Sequence, residues 1–221
     1  MDEVARIRLS ELLQALTIST PNNQENNRED LLKQLVQKGM SHFEEYVEQR
    51  AQLAQKDALA YFATSWCSAL EMTLLWLGGC RPSIYVRLVY AMCGLQFESQ
   101  LPQLLQGNGH NFDNLGGLSS TQLSMIDNLR RRTIKEEEKI TSKLASLQES
   151  IVEQPITGIA AVRTRTYEDP NLEVEDELSA LRELTEIWTP SQAVDFLATR
   201  KKLHVCLHRW GQKRDQMHGR N

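Results

Sequence analysis

The chain has 221 residues, 41% of them apolar and 24% charged, with a net charge of −4. That is enough for one domain, or one with an appendage, and enough to bury a core. The acidic balance argues against tight, non-specific nucleic-acid binding. With no run of about eighteen apolar residues, nothing is expected to span a membrane.

Residues 1–27 read as an N-terminal helix and a flexible polar linker. Val4, Ile7, Leu12, Leu13 and Leu16 recur at roughly helical spacing, and 19–27 are a polar breaker. From Arg28 to Phe62 the pattern is helical again, with Leu31, Leu35, Met40, Phe43, Val47 and Leu53 on one side and Gly39 as a weak point. The spacing predicts a third helix over 65–77, stopped by Gly78-Gly79, and a fourth that begins at Pro82 and runs to Cys93. These two are apolar nearly all round and are expected at the centre of the fold.

Residues 106–118 are a Gly/Asn-rich loop. A long helix then starts with the capping box Ser119-Ser120-Thr121-Gln122 and runs to about Val152, its middle, Arg130 to Lys139, forming a solvated face. A connector over 155–171 leads to a short helix over 176–188. A second capping box, Thr189-Pro190-Ser191-Gln192, opens the last helix, which is expected to end at Gly211. Charge is uneven in this half. Glu168 to Glu186 hold eight acids against one Arg, and Arg200 to Arg220 hold seven Lys or Arg against Asp215. No strand pattern and no internal repeat is found. The reading is all-α: one helical bundle of about six to seven helices with no sheet, its domain spanning 28–215 and a basic tail 216–221.

The first twenty residues show no secretory pattern. Cys67, Cys80, Cys93 and Cys206 form no Cys-x-x-Cys and no metal-finger spacing, so buried free thiols in a reducing compartment, nucleus or cytosol, are expected.

His204 and His208 stand four apart on the last helix and share a face, with Cβ atoms about 5–6 Å apart. That spacing suits a two-ligand metal site or a haem contact. It equally suits two boundary histidines beside an apolar stripe of Phe196, Leu203, Leu207 and Trp210. Two histidines one turn apart cannot easily take opposite axial positions on one haem iron. Glu71 lies in an apolar helix and needs a partner, with Arg81 or Arg87 the candidates. Trp66, Trp76, Tyr85 and Tyr90 read as core aromatics or as an apolar ligand slot. The basic end, Arg209, Lys213, Arg214 and Arg220, is a solvated tail or a contact for phosphate or an acidic partner. Gly107-x-Gly109 lacks the following helix of a phosphate loop, and no nucleophile or metalloprotease signature is present, so no enzyme is expected.

Several segments together carry a resemblance: Trp66-x-x-x-Leu70-Glu71; Leu75-Trp76-x-Gly78-Gly79-Cys80-Arg81-Pro82-Ser83; Arg87-Leu88-Val89-Tyr90-Ala91-x-Cys93-Gly94; Leu118-Ser119-x-x-Gln122-Leu123 with Glu136-Glu137-Glu138-Lys139; Thr189-Pro190-x-Gln192-Ala193-x-Asp195-Phe196-Leu197; and Lys201-Lys202-Leu203-His204-x-x-x-His208-x-Trp210-Gly211-x-x-Arg214-Asp215. They resemble the plant seed-dormancy-control (DELAY OF GERMINATION) family over roughly residues 30–215. The same domain forms the C-terminal half of TGA-type bZIP factors, but this chain shows no basic region or leucine heptads before it and is similar to the stand-alone branch. The resemblance implies a non-catalytic regulator of dormancy and germination in abscisic-acid signalling, in the nucleus and also the cytoplasm. It implies clade A type 2C protein phosphatases as partners, with self-association or bZIP partners as the alternative, and haem held by His204 and His208. Two features depart from the family pattern. No Phe, Tyr or Trp precedes Phe43, where the family has an aromatic segment associated with phosphatase contact, and the stretch from Pro170 to Thr189 is short.

Overall fold

The computed structural model describes residues 10–14, 25–57, 67–76, 80–105, 113–153 and 171–219. Among them are six α-helices and one 3-10 turn, with no strand: α1 (Glu25–Lys56), α2 (Ala69–Met72), α3 (Ser83–Leu105), the 3-10 turn Leu115–Gly117, α4 (Ser120–Glu153), α5 (Asn171–Ile187) and α6 (Pro190–Met217). Residues 10–14 add a helical turn. The all-α architecture is as expected. The Gly78-Gly79 stop, Trp66, the glycine loop at 107–109 and residues 155–170 of the expected connector lie outside the described residues; its last residue, Asn171, instead begins α5, five residues before the expected start.

The helix ends read from the sequence form by local chemistry. Ser119 and Gln122 close their box, with the Ser119 N–H donating to Gln122 Oε1 at 2.9 Å and the Gln122 N–H to Ser119 Oγ at 3.2 Å. Thr189 and Gln192 do the same at the start of α6, with Pro190 in its first turn. The two glutamines then meet. Gln122 Nε2 donates to Gln192 Oε1 at 2.9 Å and to the Ile187 carbonyl at 3.0 Å, so the starts of α4 and α6 are tied to the end of α5.

The core is built from Met40, Phe43 and Val47 of α1, Tyr85, Val86, Val89 and Met92 of α3, and Ile126 and Leu129 of α4. Leu181 and Leu184 of α5, Trp188, and Ala193, Phe196 and Leu197 of α6 complete it. Phe196 is its hub, 4.8 Å from the Trp188 ring centre and edge-on to Tyr85 at 6.5 Å. Burying such a ring contributes roughly 1.5–3 kcal/mol. α6 packs on α1 and α2, and α5 on α1 and α4.

Several expectations are corrected. The third helix is one turn, Ala69–Met72, followed by a turn at Thr73 and Leu74, and none of its residues is buried. The centre is therefore α3, α5 and α6. α3 runs on to Leu105 with Pro102 inside it, rather than ending at Cys93. α6 does not stop at Gly211 but continues to Met217. Thr133 and Glu137 interrupt the supposed solvated face of α4, at 8% and 5% exposure. Gly39 leaves α1 unbroken and lies against Leu197. The four cysteines are free but half-buried rather than fully buried.

Candidate functional site

The histidine helix meets α2 at a polar latch. Ser68 caps α2, its Oγ accepting from the Glu71 N–H at 3.3 Å, while the Glu71 carboxylate accepts from the Ser68 N–H at 2.8 Å and from its hydroxyl at 2.6 Å. The same carboxylate faces His208, whose Nδ1 is 3.0 Å from both oxygens. Both side chains are largely buried, at 11% and 16% exposure. Glu71 therefore has its partner, but it is His208 and not Arg81 or Arg87. Arg81 instead lies over the Trp76 ring at 5.2 Å. Burial pushes the Glu71 pKa up, but the Ser68 hydroxyl and N–H and then His208 outweigh it, holding the value below 4.5.

Two further contacts close the latch. Asp215 accepts from the Ala69 N–H at 3.0 Å. Gly211 lets the backbones touch, since a Cβ there would lie 1.9 Å from Ser68 Oγ and 2.5 Å from Ser68 Cβ. The glycine read as a helix stop is thus a close-approach residue inside a helix.

His208 Nε2 is 2.9 Å from the Gln212 amide nitrogen. With the ring proton on Nδ1 donated to Glu71, Nε2 accepts from Gln212, and one tautomer satisfies both contacts. His204 lies one turn back on the exposed side. Desolvation of its ring, then Lys201, lower its pKa against the pull of Glu71, so it favours the neutral form. The structure therefore separates the pair: His208 is built into the latch and His204 flanks it. The apolar stripe read beside them is also revised, because Leu203 and Trp210 are 43% and 63% exposed while Val205 and Gly211 face inward.

A second polar cluster lies inside the bundle and was not foreseen. Arg50 of α1 and Glu177 of α5 form an ion pair at 3.0 Å with both side chains buried. The Tyr85 hydroxyl donates to the other Glu177 oxygen and accepts from Arg200 Nη2 at 3.0 Å. The Arg200 guanidinium lies over Phe43 and Tyr85, at 4.3 and 4.9 Å from the ring centres. Burial above all keeps the Tyr85 phenol protonated well past its ordinary range. Tyr85 is thus core and not ligand slot, and Trp76 is half-buried. Glu137 accepts from the Ser83 N–H at 2.7 Å and from its hydroxyl at 2.9 Å, capping α3 from α4. Asp195 binds Gln96 Nε2 at 2.7 Å, and Gln96 Oε1 takes the Gly116 N–H at 2.7 Å.

These carboxylates, histidine and tyrosine are the groups general acid–base or nucleophilic chemistry would use. Here each is spent on a cap, an ion pair or an interhelix hydrogen bond. Among the described residues, no group of three or more His, Cys, Asp or Glu side chains is gathered to hold a metal ion, and no helix is long and apolar enough to cross a membrane.

A signal for the missed residues existed. Arg50 continues the α1 core stripe of Phe43 and Val47. Glu177 precedes Leu181 and Leu184 at the same kind of spacing, and Glu137 follows Ile126, Leu129 and Thr133. A charge at a stripe position is a charge that will be buried.

The chain is similar to several known proteins. The family profile described as "Seed dormancy control" matches residues 8–91. Protein DOG1-like 3 of Arabidopsis thaliana is 39% identical over 209 residues, covering 84% of this chain and 73% of that protein. Transcription factor TGA2.3 of Oryza sativa subsp. japonica is 30% identical over 122 residues, which is 55% of this chain but 30% of the factor. Protein RESPONSE TO ABA AND SALT 1 of Arabidopsis thaliana is 23% identical over 216 residues, covering 86% and 84% of the two chains.

Proposed function

This chain belongs to the seed dormancy control family, and from that membership we propose that it is a non-catalytic regulator of seed dormancy and germination, working in abscisic-acid signalling by binding other proteins. The observation that carries the reading is the 39% identity with Protein DOG1-like 3 across 84% of this chain. It is supported by the use of the chain's acid–base groups as internal ties rather than as a converging reactive set. The abscisic-acid assignment draws on the relative whose name states a response to ABA and salt. Clade A type 2C phosphatases are the proposed partners and the nucleus the proposed site of action. The partial likeness to TGA2.3 favours one alternative, a transcription-associated module that pairs with bZIP proteins or with itself.

Haem is proposed as a ligand held through His208. Glu71 fixes the ring by Nδ1, which orients Nε2 and makes it the more basic nitrogen, as the outer hydrogen bond of a ligating histidine does. Gln212, the Nε2 partner, is exposed and free to yield that place. His204, one turn from His208 on the same helix, would line the site beside it. Bound haem would supply an iron centre responsive to redox conditions and small ligands.

Two measurements test the reading. Haem titration should give a Soret band that is lost in His208→Ala, weakened in Glu71→Gln and largely kept in His204→Ala. An unchanged band when both histidines are replaced would remove them from the site. Pulldown from seed extract with and without haem should retain a type 2C phosphatase. Retention of bZIP proteins instead would transfer the function to the alternative.

A further inference from the structure

The exposed side of α6 carries an apolar seam. Leu203, Trp210 and Met217 are 43%, 63% and 68% exposed. They are spaced by seven residues, and seven residues bring a straight helix back to within about 20° of its starting direction. The three side chains therefore form one narrow ridge along the second half of α6. Its borders are basic. Arg214 lies on one flank and Lys202, Arg209 and Lys213 on the other, all exposed. The acid on this stretch, Asp215, is turned away onto the Ala69 N–H. The opposite face of the helix holds the latch, and α6 packs on α1 and α2.

We propose that this ridge is a docking site for an acidic amphipathic helix of another protein, one whose apolar seam is bordered by Asp and Glu. The spacing and the charge select that occupant. A seam about one side chain wide per heptad matches helix–helix packing, where residues flanking the seam set the choice of partner. A second copy of this chain docked ridge to ridge would place basic borders against each other, which is repulsive. A membrane surface would suit the bases but calls for a broad apolar face rather than a ridge. Two heptads give a small contact, so binding is expected to be weak and strongly salt-dependent. The proposal rests on the reading of the chain as a protein that works by binding, and it involves neither the haem-bearing nitrogen nor a phosphatase.

The test uses the full chain and two synthetic helical peptides of about three heptads, identical in their leucine seam and differing only in Glu or Lys at the flanking positions. Fluorescence anisotropy should show binding of the Glu peptide that fades with added salt, and none of the Lys peptide. Trp210→Ser should weaken it by about tenfold or more, as loss of an exposed aromatic anchor does. Arg209→Glu with Arg214→Glu should reverse the preference toward the Lys peptide. Both variants change exposed residues, and a circular-dichroism melt checks that they fold.

Equal binding of the two peptides, binding of neither, or indifference to Trp210→Ser would overturn the proposal. So would concentration-dependent dimerisation abolished by Trp210→Ser, which gives the ridge to a second copy. Trp210-dependent adsorption to phosphatidylserine vesicles without peptide binding would give it to a membrane. Each of these failures leaves the Soret titration and the phosphatase pulldown unaffected.

Discussion

Glu71 serves two purposes at one atom group. It completes the cap of α2 through Ser68 and grips His208 on α6, so the short helix and the histidine helix share one anion. Glu71→Gln keeps an acceptor for the Ser68 N–H but loses the charge that holds His208. The expected cost is about 1–2 kcal/mol at neutral pH, the range for a weakened cap and a charge-assisted hydrogen bond. The pH dependence has a fixed sign. The folded pKa lies below the ordinary 4.5, so the ionised group stabilises the fold above that value, and the stabilisation is lost as pH falls through the lower folded pKa. Urea melts of the native chain and the variant should therefore differ at neutral pH and converge well below pH 4.5. A gap that stays constant into acid would mean the carboxylate acts by shape rather than by charge.

Among the α-helices, α2 is the shortest. It is one turn long, buries none of its residues, and is docked to α6 through Ser68, Glu71 and Asp215 across the gap left by Gly211. Gly211→Ala should push α2 away at a cost of about 1–3 kcal/mol, typical of overpacking. Hydrogen exchange should speed up at residues 67–76 while core amides of α5 and α6 stay protected. Adding Ser68→Gly removes both clashing atoms, and Gly is a tolerable cap, so the double variant should recover most of the loss. If it melts lower still, the clash is not the cause. This element also shows where sequence reading stops. The caps at Ser119 and Thr189 were legible because donor and acceptor lie three residues apart. The role of Gly211 depends on Ser68, far away in the chain, and a glycine before a polar stretch looks like a terminus whichever part it plays. For the same reason the sequence shows that Glu71 needs a polar partner but not that the partner is His208.

For the whole molecule, the buried cluster decides how four helices fit together. Arg50 comes from α1, Tyr85 from α3, Glu177 from α5 and Arg200 from α6, and Glu177 is the anion on which the other three converge directly or through Tyr85. The sequence pattern shows that the helices bundle, because Leu35, Met40, Phe43 and Val47 recur at helical spacing on one side of α1 and α3 opens on an apolar run. It does not show the register, which apolar side chains specify weakly and a satisfied buried charge specifies well. The charges themselves were visible at stripe positions, but their pairing is a tertiary fact. Replacing the anion should hurt most: Glu177→Leu removes the acceptor of the Tyr85 hydroxyl and the ion-pair partner of Arg50, at a cost of about 3–5 kcal/mol. Arg50→Met should cost less, since Glu177 keeps Tyr85. The double variant Arg50→Met with Glu177→Leu removes the cation along with the anion. It should therefore fall short of the sum of the single losses by up to about 3 kcal/mol, the upper range for coupled neighbours. Denaturant melts of the four chains close that cycle. Strict additivity would show that Arg50 and Glu177 act independently, and that the register of α1 against α5 is set by the apolar core alone.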